Sequence, residues 1–189
     1  MTEPFDTLIE EHEQIAAAVA SARAALEAAV QYPDDAALGP AAVEELHGLG
    51  AFMAQELALH IAKEEQVLFP AYRELAGDHR LIDELVVQHD RVRERDAMLR
   101  RALAQLDHTH EEVEAEQVTL AAQTQRAQAA ISHEILAETL ETVRRLDWIL
   151  QGHFGDEEDD LFIPGEALFA PEALEAMHRA MNALGAPSA

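Results

Sequence analysis

The sequence predicts an all-α protein, and three observations carry that reading. Ala, Leu, Glu and Gln dominate the 189 residues, apolar positions recur at spacings of three and four rather than two, and no run alternates as a strand would. A chain of this length suits one domain, alone or with an appendage, and two independent domains are not expected.

The first predicted helix carries Phe5, Leu8, His12, Ile15, Val19, Ala22 and Leu26 as a seam of alternating threes and fours, and stops at Tyr32-Pro33-Asp34-Asp35. Gly39-Pro40 separates it from the second, where the proline takes a tolerated first-turn position. That helix sets Leu46, Leu49, Met53, Glu56, His60, Glu64 and Val67 on one stripe. Pro70 is expected to end or kink it, and Gly77-Asp78 to turn the chain. A third helix carries Ile82, Leu85, His89, Val92, Asp96, Leu99, Leu103 and Leu106. The fourth carries Leu136, Thr139, Val143, Leu146, Leu150, His153, Glu157 and Asp160, and closes at Pro164-Gly165. A last amphipathic helix, from about Pro171 to Leu184, is expected to cap the others. The organisation read from this is a helical bundle over residues 1–165, followed by a C-terminal helix and tail over 166–189.

Residues 78 to 151 contain neither Gly nor Pro, so nothing of the usual kind marks the third connection. Thr109 with Glu112 has the spacing of a capping box, and the Gln-, Ala- and Glu-rich run from Glu111 to Ala130 has a poor apolar stripe. A helical excursion is therefore expected near 108–131; the alternative is that the third and fourth helices are simply longer than the first two.

Acidic residues number 37 against 13 basic ones, a formal net charge of −24, so phosphate backbones and anionic lipid surfaces would repel most of this surface. Neither a nucleic-acid nor a membrane partner is expected. There is no cysteine, which removes disulfides, thiolate metal sites and a cysteine nucleophile; any metal must be held by nitrogen and oxygen. No signal peptide and no membrane-length apolar run is visible, and a cytoplasmic protein is expected.

The chemistry lies in an internal repeat. His60-Ile-Ala-Lys-Glu64-Glu65-Gln-Val-Leu68-Phe69 and His153-Phe-Gly-Asp-Glu157-Glu158-Asp-Asp-Leu161-Phe162 agree at offsets 0, 4, 5, 8 and 9, and each runs into proline within two residues. The His-x-x-x-Glu spacing alone is weak in so acidic a chain. His108 with Glu112 and His110 with Glu114 also satisfy it, but they lie in a polar stretch and read as solvated surface. Four residues turn a helix by about 400°, so His60 and Glu64 stand only about 40° apart, as do His153 and Glu157. Each pair can grip one ion and sits inside an apolar seam. His12 and His89 occupy core positions on the other two helices.

Burying four imidazoles and two carboxylates without compensation would be costly, and two divalent cations remove that cost. With both Glu bridging and two His on each ion, every ion has about four protein donors, leaving room for a solvent-derived bridge and an exogenous ligand. Glu56 is a further candidate on the same face as His60, as a ligand or a hydrogen-bond acceptor. Asp96 is placed too far along its helix for direct ligation, and His47 and His133 face away.

This pattern resembles the hemerythrin-like family, the HHE cation-binding domains, over about residues 5 to 164. The resemblance implies an up-down-up-down four-helix bundle around a non-haem di-iron centre, two Fe ions with an oxo or hydroxo bridge, held by His12, His60, Glu64, His89, His153 and Glu157. Oxygen-carrying hemerythrins have a further histidine one turn after the third-helix ligand, where this chain has Arg93. That departure favours peroxide, nitric oxide or redox chemistry over reversible O2 storage. The implied function is a di-iron protein that binds or reduces O2, NO or H2O2, with peroxidase-, catalase- or NO-related activity left open; the alternative is an iron or oxygen sensor without turnover. Spacing marks a second departure, 64 residues from His89 to His153 against 48 from His12 to His60. Ferritin-like bundles use Glu-x-x-His pairs instead, and Glu44-His47 and Glu175-His178 fit that spacing without a convincing inward stripe.

Overall fold

The structure, a computed structural model, describes the backbone of residues 4–77 and 89–186 and the side chains of 4–75 and 109–186. Among the described residues the secondary structure is all helical, in keeping with a hemerythrin-like all-α fold that adds a C-terminal helix. The elements are α1 (Pro4–Gln31), α2 (Leu38–Phe52), π1 (Met53–Leu57), α3 (Ala58–Lys63), π2 (Glu64–Leu68) and α4 (Phe69–Gly77). They continue with α5 (His89–Ala129), α6 (His133–Glu157), π3 (Glu158–Phe162), α7 (Ile163–Leu168) and α8 (Pro171–Leu184). None of these helices is long and apolar enough to cross a membrane.

The α1 seam is buried from Phe5 through Leu26, His12 included. From Leu38 to Gly77 the helical chain is unbroken, so Pro70 does not end it. In α geometry the Pro70 ring would meet the Gln66 carbonyl four residues back and offer it no N–H. A wide turn with i→i+5 pairing relieves that conflict, and π2 ends two residues before the proline. Pro164 stands in the same relation to Asp160, inside π3, and the helix expected to close there runs on to Leu168. Each π turn inserts a residue and shifts the inward face by one position. Glu56, Val67 and Asp160 were the expected inward residues; instead Leu57, Leu68 and Leu161 are buried, while Glu56 and Asp160 are exposed and Val67 is half-buried.

The run expected as an excursion is the C-terminal part of α5, and no helix starts at Thr109. Its inward seam is His110, Val113, Gln117, Leu120, Thr124 and Ala127, again in threes and fours but half polar, which is why it reads as a poor stripe. The chain leaves α5 only at residues 130–132, where the Ser132 hydroxyl accepts the Ile135 N–H at 3.3 Å and starts α6.

Contacts divide the chain into two compact units. One comprises Met1–Ile9, Leu59–His108 and Gly155–Ala189. Its core joins Phe5, Leu68, Phe69, Tyr72, Leu161 and Phe162 to Leu174, Met177 and Met181 of α8. Tyr72 is fully buried and donates its hydroxyl to the Leu161 carbonyl inside π3. Gly165 lies so close to that hydroxyl and to the Phe5 ring that a Cβ would collide with both. The other unit comprises Glu10–Ala58 and Thr109–Phe154. Its buried apolar residues include Ile15, Val19, Leu26, Leu46, Leu49, Val113, Leu120, Val143 and Leu146. The buried Asp147 carboxylate pairs with Arg23 and accepts from Gln151 at 2.8 Å.

Candidate metal centre

Helix periodicity puts His60 and Glu64 on one face, α3 handing over to π2 between them. The His60 Nε2 lies 3.1 Å from the Glu64 Oε1, with both side chains buried. Glu157, the last residue of α6, is fully buried. Burial first, and then the nearby Glu64 carboxylate, raise its pKa well above the usual carboxylate range. In the absence of a cation the two acids can share a proton; a cation would take that proton's place.

Two imidazoles face one another elsewhere in the centre. The His110 Nε2 is 2.8 Å from the His153 Nε2, with the rings 4.6 Å apart and close to perpendicular at 76°. His12 lies flat on Phe154, ring centres 4.0 Å apart and planes within 12°.

These side chains form two groups. His12, His60, Glu64 and Glu157 each offer one donor atom, all within 4.8 Å of one another, and Glu64, His110, His153 and Glu157 do the same. Every member is buried. Donors at right angles around an ion with bonds of about 2.1 Å stand about 3.0 Å apart, and opposite donors about 4.2 Å apart. The 3.1 Å His60–Glu64 and 2.8 Å His110–His153 separations match octahedron edges, and the 4.8 Å limit leaves room for opposite donors. The nitrogen and oxygen donors suit Fe, Mn or Zn, and the residues of each group fit a bound cation.

Five of the six predicted ligands, His12, His60, Glu64, His153 and Glu157, come together in these groups. The side chain of His89 lies outside the described residues, as do those of Arg93 and Asp96. His110, read from sequence as solvated surface, is buried and belongs to the second group. One signal pointed to it: His110 precedes His153 by 43 positions, closer to the 48 between His12 and His60 than the 64 from His89. Glu114, one turn further on, is exposed, as are Glu56, His47 and His133.

Among protein families, the profile described as Hemerythrin HHE cation binding domain matches residues 3–123. Comparison with curated proteins and with solved structures gives no match.

Proposed function

Because the chain belongs to the Hemerythrin HHE cation binding domain family, we propose that its buried His and Glu residues hold two iron ions and that the protein binds or reduces O2, NO or H2O2 in the cytoplasm. The observation that carries this reading is the sharing of Glu64 and Glu157 by two four-donor groups. His12 and His60 would serve one ion and His110 and His153 the other. When bound, the ions supply Lewis acidity and a change of redox state at a position open to a small ligand. The protein's part is to keep the imidazoles neutral, the carboxylates ionised and the surroundings apolar.

Elemental analysis of protein made with ample iron is expected to give two Fe per chain, with absorption in the near ultraviolet that changes on adding NO or H2O2. One iron or none per chain, or a spectrum indifferent to all three small molecules, defeats the reading.

A further inference from the structure

Phe154 immediately follows His153, yet its ring lies on His12 of α1, at 4.0 Å and 12°, and is itself buried. One residue therefore links donors of both four-residue groups: it packs against an imidazole of the first and is peptide-bonded to an imidazole of the second. The repeat makes this asymmetric, because the residue one place after His60 is Ile61, half-buried and without a ring to stack. An imidazole held at one face has fewer orientations to lose when it takes an ion, and groups that orient a metal-ligating His are worth about 10–100-fold in affinity when removed.

We propose that Phe154 is a positioning residue for the centre: its flat stack on His12 orients the imidazole that completes the His12–His60 ion position. Its fixed place beside His153 makes that orientation depend on the α6 segment that serves the other ion. This rests on the two-ion reading. The stack is specific to a flat ring, so an aliphatic side chain of similar volume cannot replace it, whereas another six-membered aromatic ring can.

The test uses the full chain as wild type, Phe154→Leu and Phe154→Tyr, loaded with iron, with ion release to a chelator followed together with metal content and far-ultraviolet circular dichroism. The His12 ring-proton resonance in metal-free protein reports the stack directly, because the Phe154 face shifts it upfield. Expected for Phe154→Leu are loss of that upfield shift, unchanged helicity, and one ion leaving about 10-fold faster or more while the other keeps its wild-type rate. Phe154→Tyr is expected to restore both the shift and the rate. A Leu variant that releases both ions at wild-type rates overturns the proposal alone, as does one that releases both equally faster. A wild-type chain that does not hold two ions overturns the parent reading and this proposal with it.

Discussion

Glu157 shows how much of the chemistry is decided one residue at a time. Its buried carboxylate binds a proton more tightly in the metal-free folded chain than in the unfolded one, where the ordinary value of 4.5 applies. Because the folded-state pKa is raised, the proton stabilises the metal-free fold fully below that ordinary value. The stabilisation fades as pH climbs through the folded-state value. Metal binding runs the other way, since the proton must leave before a cation can enter, so affinity rises with pH. Glu157→Gln is therefore expected to raise the melting temperature of metal-free protein near neutral pH and to prevent the second ion from binding. A metal-free Gln variant that melts below wild type at pH 7 contradicts the account. His110 supports an equally local test. His110→Ala is expected to lose one of two ions and His89→Ala to keep both, read by iron per chain; the reverse result returns the third-helix position to His89.

At the scale of elements, the π turns explain where helical periodicity leads the eye astray. A strict 3.6-residue repeat places Val67 and Asp160 inward after Glu64 and Glu157, but the wide turns ahead of Pro70 and Pro164 give those places to Leu68 and Leu161. The same turns bring Leu161 to Tyr72 and Gly165 against Phe5, so there is no room for a side chain at Gly165 unless Tyr72 and Phe5 shift. Gly165→Ala is expected to cost about 1–3 kcal/mol of stability through overpacking, and Tyr72→Phe about 0.5–1.5 kcal/mol through a lost buried hydrogen bond, both measured by chemical denaturation. A neutral Gly165→Ala would mean that Tyr72 and Phe5 can move aside. Periodicity does recover α1 completely, because no proline or π turn interrupts its seam.

For the whole molecule, six buried His and Glu side chains gathered as candidate donors mean that a bound cation and the fold would stabilise each other. Free metal at 100 times its dissociation constant adds about 2.7 kcal/mol per site to the folded state. Iron-loaded protein is accordingly expected to melt several degrees above chelated protein and to resist proteolysis longer; equal melting with and without metal would count against buried ligation. The charge of −24 adds a general repulsion that salt should screen, so metal-free protein is expected to gain stability on adding sodium chloride.

What could be read from the chain alone was whatever the helix itself dictates. The all-α class, the repeated His-x-x-x-Glu pairs and the inward place of His12 follow from 3.6 residues per turn, a property of local backbone geometry that composition displays directly. Tertiary structure alone decided that His110 is buried and faces His153. His110 sits on a seam shared with Gln117 and Thr124, and nothing within a few residues tells such a half-polar seam from a solvated face. Only packing against other helices, a long-range term absent from local periodicity, turns it inward.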